Sequence, residues 1–389
     1  MRICIFSTTY FPKTGGAERF MHGLASNLVK MGHIVYVLAP YDRSLEIDKK
    51  VNYNMLRIKF IGPFRNIRIL LEIVLFLNLL FYYIKYRFDV IQAVLLYPAG
   101  YIASLMTRFF KVPSVLRPTG EDIQIYKDIN YGLRLNSFVN KRVKLALAEC
   151  SKAIAISPSI LEDLLKADCP GEKIVSISNG LDSERFKKLP VHNIKADLKL
   201  KDSDKVVISI GRNHPKKDYK TLVSAISRCP DNMKLVIIGG DEGGLRKFVS
   251  PDDRSRIFLL GQFPKNYSIN NSRFEFPPDI VIDYLKTSDL FVSTSLIEGS
   301  PNVILEAIAA ELPIVAVDAL GTRDYIKNGK NGLLTKPKDA KALSKAIIEV
   351  LSNTNVQKSF SNVNKEYGKE FDWKLIAGKY EALYNTLVD

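Results

Sequence analysis

Short, wholly apolar runs alternate along the chain with stretches in which apolar residues recur every three or four positions. The runs at 2–8, 33–40, 89–95, 152–157 and 173–178 read as strands. After a polar connection the pattern restarts at 205–211, 234–240, 256–261, 290–295 and 313–318. Residues 17–32 between the first two runs have helical spacing and stop at Gly32. Strands that alternate with helices, and are apolar throughout, belong in parallel sheets covered on both faces. The predicted fold is therefore α/β, with two doubly wound, Rossmann-like domains facing a cleft. The first spans 1–190, with 371–389 returning to it, and the second spans 191–370. Residues 191–205 are polar enough to read as the linker.

Composition supports two ordinary globular domains: 389 residues, 47% hydrophobic and 25% charged. The four cysteines, Cys4, Cys150, Cys169 and Cys229, form no CxxC pair, which argues against a zinc site or a disulfide framework. The first residues read directly as a strand, with no long apolar leader. Net charge is +15, and 11 of it lies in residues 1–190, with 27 Lys+Arg against 16 Asp+Glu. Such a surplus serves solubility or draws an anionic partner. No basic–aromatic repeat points to nucleic acid.

Ligands of open parallel sheets bind beyond the carboxyl ends of the strands, so the unusual loops there carry the chemistry. In "TSLIEGSPNVILEAIAA", 294–310, Ser300-Pro301 signals a helix start near Pro301, with serine as the cap. Backbone amides at such a start attract phosphate. Glu298 precedes the turn and would repel that phosphate, so it should accept from neutral hydroxyls; Glu306 lies a turn and a half inside the helix and can take a second hydroxyl pair. A nucleotide-sugar has this form: ribose, diphosphate, hexose. The plain alternative is two solvated glutamates. In "GRNHPKK", Arg212 and Lys217 can clamp a diphosphate and stabilise its charge as it departs; Lys216 is equally suited by chemistry alone. His214 in that loop is a plausible ligand contact. Gly15-Gly16 lies between a strand and a helix, yet fits neither GxGxxG nor a P-loop. Asp202–Asp204 precedes a strand, at the wrong end of a sheet for a metal, and reads as a turn.

These motifs together resemble retaining glycosyltransferases of the GT-B fold, family four type. Glu298 and Glu306 match that family's E-x7-E pair, and "GRNHPKK" is similar to its GR-x4-K loop. "TGGAERFMHGLASNLVKMGHIVYV" resembles its N-terminal glycine loop, "ISNGLDSERF" its closing stretch of the first domain, and "FDWKLIAGKYEALY" its returning terminal helix. The resemblance implies transfer of a sugar from a nucleoside diphosphate to a glycan or lipid-linked hydroxyl, with retention and with no metal or other cofactor. It implies catalytic roles for Glu298, Arg212 and Lys217. The donor site would add Gly16, Gly299, Ser300, Pro301, Asn302, Val303 and Glu306. Two departures stand out. Thr119 of "RPTGEDI" occupies the place where the family often has histidine, so the acceptor side is assigned to Thr119 and Asp122, with Arg117 and Glu121 as alternatives. Asp218 follows Lys217 where glycine is usual. Residues 266–278 read as an insertion.

Residues 65–86 hold a 16-residue window, Ile69 to Ile84, broken only by Glu72 and Asn78. It is shorter than the roughly 20 residues a span needs. Arg65, Arg68, Glu72, Asn78, Lys85 and Tyr86 fall within roughly 160° of arc, and Leu71, Leu75 and Leu79 share that stripe. A helix greasy on its solvent side is covered or touches a bilayer. With the basic first half, this suggests a cytoplasmic protein at the inner face of the membrane. The other functions considered are a GT-B sugar phosphorylase, a nucleotide-sugar epimerase and a non-catalytic anion-binding protein.

Overall fold

The computed structural model describes residues 1–11, 15–40, 48, 50–58, 67–240, 242–263 and 276–388. The chain divides into two compact units, Met1–Gly180 with Trp373–Asp389, and Leu181–Asp372. The crossings thus fall about ten residues before the expected 190 and close to the expected 371. The reason lies in the polar segment: Leu181, Phe186 and Ile194 are buried in the second unit's core, so 191–205 is part of that unit.

In the first unit seven strands pair in parallel: β1 Arg2–Phe6, β2 Ile34–Pro40, β3 Asn54–Ile58, β4 Val90–Val94, β5 Ser114–Arg117, β6 Lys152–Ala155 and β7 Ile174–Ser176. Their order is β3-β2-β1-β4-β5-β6-β7. The direction of winding reverses between β1 and β4. Helix α1 (Gly16–Lys30) starts at Gly15, whose amide donates to Glu18 Oε2 at 3.0 Å; a Cβ on Gly15 would lie 2.7 Å from that oxygen.

Helix α2 (Arg68–Tyr86) corrects the sequence reading. The stripe holding Glu72, Leu75 and Leu79 is its buried face, and Ile69, Ile73, Leu77, Phe81 and Ile84 point outward. Burial of Glu72 is possible because Arg142 Nε, on α4 (Ser137–Glu149), donates to its Oε1 at 3.1 Å. Between them lies α3 (Tyr101–Phe110), whose Phe110 ring meets Phe76 and Tyr83 of α2. Arg65 lies outside the described residues.

The second unit repeats the plan with β8 Lys205–Ile210, β9 Met233–Ile238, β10 Ile257–Gly261, β11 Leu290–Ser293, β12 Ile314–Val317 and β13 Gly332–Thr335, in the order β10-β9-β8-β11-β12-β13. All pairs are parallel, and the reversal falls between β8 and β11. Helix α5 (Tyr219–Ile226) follows β8, and α6 (Asn302–Ala309) follows β11.

The chain ends in α7 (Trp373–Val388), which returns to the first unit. Trp373 fits a slot that two glycines leave open: a Cβ on Gly23 would lie 2.2 Å from its ring, and one on Gly180 2.5 Å. Tyr384 Oη donates to the buried Gln92 Oε1 at 2.8 Å, and His33 Nε2 meets Glu381 Oε1 at 2.8 Å.

Candidate active site

The crevice at the point where strand order reverses is where open α/β sheets bind ligands. In the second unit the loops after β8 and β11 flank that point, and they are stitched together. The Leu296 amide donates to the Lys216 carbonyl at 2.7 Å, and Thr294 Oγ1 donates to the Lys217 carbonyl at 2.7 Å. The stitching holds both lysine side chains over Glu298. Lys217 Nζ donates to Glu298 Oε1 at 2.6 Å, and Lys216 Nζ donates to Oε2 at 2.8 Å. All three side chains are 16% exposed or less. Burial pushes the Glu298 carboxyl up, but the charges of Lys217 and Lys216 and their hydrogen bonds outweigh it, and the group is lowered to about 2. It is an anion throughout the physiological range.

Three backbone features hold this cluster. Gly211 leaves room for Lys217 to fold back: a Cβ there would lie 2.9 Å from Lys217 Cε. Asp218 has φ +45°, the left-handed conformation that favours glycine, and its Oδ2 accepts from Thr221 Oγ1 at 2.6 Å. Asp218 thus takes a conformation that glycine, usual here in the family, favours. Gly321, with φ +80°, backs directly on Glu298: a Cβ would lie 2.0 Å from the Glu298 carbonyl oxygen, and the Glu298 amide donates to the Leu320 carbonyl at 2.9 Å.

Several expectations need correction. Glu298, expected to accept from neutral hydroxyls, is also held by Lys216 and Lys217, because a buried carboxylate needs cations. Lys216, which sequence alone could not rank, holds the inner position, while Arg212 is exposed on the same loop. Ser300 does not cap the helix. Its hydroxyl is 2.6 Å from Tyr325 Oη, and α6 starts at Asn302 after Pro301 with no side-chain cap. The Gly299–Val303 backbone leads straight from Glu298 into this helix start. Glu306 is 2% exposed within α6, so neither glutamate is solvated. His214 Nδ1 accepts from the Lys216 amide at 3.2 Å and shapes the loop.

In the first unit, Asp122 is fully buried and both its oxygens are engaged. Oδ1 accepts from the Thr119 amide at 2.8 Å, the Thr119 hydroxyl at 3.0 Å and the Gly120 amide at 3.1 Å; Oδ2 accepts from the Leu96 amide at 2.7 Å. Asp122 therefore ties the loop after β5 to the loop after β4. Arg117 is buried with its guanidinium 3.7 Å from the Phe20 ring centre, and it donates to Asn179 Oδ1. A concavity of 260 Å³ nearby is lined by Glu121, Arg68, Asn130 and Asn136, and Glu121 is the carboxylate on it. Gly16 opens α1 in this same unit. Among the described residues no group of three or more His, Cys, Asp or Glu side chains is placed to hold a metal ion. Asp204 Oδ2 accepts from the Lys201 amide at 2.9 Å in the turn before β8.

Two reversal points, each opening a parallel sheet, with paired cations beside a helix start, match a known architecture. Residues 14–185 match the family profile described as Glycosyltransferase Family 4, and residues 191–367 match Glycosyl transferases group 1. The chain is a GT-B glycosyltransferase of the family four type. It is 27% identical to TuaC of Bacillus subtilis, named for teichuronic acid biosynthesis, over 67% of this chain and 60% of that protein. It is 26% identical to the Campylobacter jejuni N-acetylgalactosamine-N,N'-diacetylbacillosaminyl-diphospho-undecaprenol 4-alpha-N-acetylgalactosaminyltransferase, over 72% of this chain and 71% of that one. Anabaena HepE, solved with UDP-glucose, shares the fold of this glycosyltransferase at a TM-score of 0.76 and 20% identity, over 99% of this chain and 100% of HepE.

Proposed function

We propose that this glycosyltransferase moves a sugar, with retention and without a metal, from a nucleoside-diphosphate sugar to a glycan or lipid-linked hydroxyl. Its place is the synthesis of a cell-surface polysaccharide or glycoconjugate, at the cytoplasmic face of the inner membrane. The observation that carries the donor side is the pair of lysines buried on Glu298 beside the start of α6. With Arg212 there are three cations against the two carboxylates Glu298 and Glu306, a positive surplus that suits a diphosphate. Names among the relatives support the rest: HepE was solved with UDP-glucose, and the Campylobacter enzyme is named for a diphospho-undecaprenol acceptor.

In this reading Lys217, Lys216 and Arg212 hold the diphosphate, and the α6 start adds its partial positive charge. Glu298 accepts from donor-sugar hydroxyls as the phosphate draws on its lysines, and Glu306 accepts from the ribose. Thr119 and Glu121 serve the acceptor side, with Asp122 as the group that positions Thr119. The bond from the anomeric carbon to the diphosphate oxygen breaks, and the acceptor oxygen bonds to that carbon on the same face. The acceptor proton passes to the departing phosphate, whose growing charge the cations stabilise. The test is donor hydrolysis across a panel of nucleotide-sugars, with Glu298→Ala as control. One donor is cleaved by the native enzyme and left intact by the variant; equal rates in both refute the assignment.

A further inference from the structure

The outward face of α2 carries Ile69, Ile73, Leu77, Phe81 and Ile84, between 49% and 59% exposed. Their spacing of four, four, four and three residues places them in one stripe along a helix of 19 residues. The adjoining end of α3 widens it with Phe109, 62% exposed, and Phe110, 39% exposed. Large apolar side chains at this exposure and in one row mark an interaction surface rather than the scattered apolar residues of an ordinary surface. By length and composition α2 is the one helix among the described residues that could cross a membrane. Yet Glu72, Leu75 and Leu79 are packed into the first unit, which fixes the helix lengthwise against its own domain.

The rim selects the occupant. Arg68, Lys85, Arg87, Arg108 and Lys111 are all exposed around the stripe, and of these Arg108 is paired with Glu149 Oε1 at 3.3 Å. Across 67–87 and 101–111 the sole carboxylate is Glu72, and it is turned inward onto Arg142. A second copy of the chain meeting this face about a two-fold axis would set like charges against one another. A continuous anionic plane meets both the apolar row and the mainly basic rim, the pattern of helices that lie in a membrane interface.

We propose that the outward face of α2, with Phe109 and Phe110, docks this chain on an anionic lipid bilayer, the helix lying in the interfacial plane. The inference rests on the reading of a membrane-borne acceptor given above and names the surface and the lipid chemistry that serve it. The test uses the full chain with vesicles of phosphatidylglycerol and phosphatidylethanolamine, against vesicles of phosphatidylcholine alone, read by co-sedimentation. Native protein binds the anionic vesicles, more weakly as salt rises. The I73S/L77S/F81S variant, altered only at exposed positions, binds at least tenfold more weakly, and K85Q/K111Q loses the preference for anionic lipid. Donor hydrolysis by both variants stays at the native rate. Undiminished vesicle binding by I73S/L77S/F81S overturns the proposal, as does a native dimer in analytical ultracentrifugation that this variant dissolves. If vesicle binding fails while donor hydrolysis persists, docking falls and the transferase reading stands. If hydrolysis is absent while binding persists, the transferase reading falls and docking stands.

Discussion

Lys217 Nζ lies 2.6 Å from Glu298 Oε1, and the carboxylate's other oxygen is 2.8 Å from Lys216. In the proposed reaction this buried triplet holds the donor side, and it also ties stability to pH. Glu298 is lowered to about 2, below its unfolded value near about 4.3. Its stabilising contribution is thus complete above about pH 4.5 and disappears as pH falls toward about 2. Relative to Glu298→Gln, the native protein should be more stable by on the order of 3 kcal/mol at pH 7. Denaturant melts at several pH values check this: the gap stays constant from pH 7 to 5 and closes below. A gap that already shrinks between pH 7 and 6 contradicts the depressed carboxyl.

The three cations should separate kinetically. Arg212 is exposed, so Arg212→Ala folds normally and loses turnover of about 10²-fold or more through the departing charge. Lys216→Ala and Lys217→Ala each remove one of the two lysines that neutralise Glu298, and both should weaken binding of the nucleoside diphosphate as well as turnover. Steady-state kinetics with calorimetry of the diphosphate product resolve the two patterns. Native diphosphate affinity in Lys216→Ala would remove that residue from the site.

Gly321 supports Glu298 through its backbone. A Cβ there would meet the Glu298 carbonyl at 2.0 Å, and φ is +80°. Gly321→Ala should therefore cost about 1–3 kcal/mol and lower donor hydrolysis at least tenfold in the protein that remains folded. A variant with native rates and native melting would show that this turn does not hold the carboxylate.

Trp373 is the only tryptophan in the chain, and it fills the slot beside Gly23 and Gly180. Its fluorescence therefore reports whether α7 is seated on the first unit. In Gly180→Ala the ring cannot keep its place, so emission should shift to the red and the melting temperature should fall by several degrees. Native emission in that variant would mean that α7 is held by other contacts.

Chelator should leave turnover unchanged, because Lys216, Lys217 and Arg212 supply the positive charge in the proposed reaction. An assay in excess EDTA checks this, and NMR of the product tests retention of the anomeric configuration. Loss of activity that magnesium or manganese restores would overturn the metal-independent mechanism.

Much of this was legible in the sequence. The alternation of buried runs gave two parallel sheets, because strands covered on both faces are apolar throughout. The strands not read were β3, β5 and β13. Two of these are edge strands, and β5 is four residues bracketed by Pro113 and Pro118, which reads as loop. At the site, spacing singled out Arg212, Lys217, Glu298 and Glu306. It could not rank Lys216, because the choice is made by the Leu296 amide and Thr294 hydroxyl pinning the loop, contacts some 80 residues apart. Periodicity also located the polar stripe of α2 but turned it outward, since the neutralising Arg142 lies 70 residues away from Glu72.

The central claim is that the diphosphate of a nucleotide-sugar is gripped by the lysines that now sit on Glu298. A crystal structure with an intact donor or its nucleoside diphosphate tests it most directly. The account predicts phosphate oxygens within about 3 Å of Lys217 Nζ and of Lys216 or Arg212. Phosphates bound away from all three, with the Lys217–Glu298 pair unchanged, would contradict it.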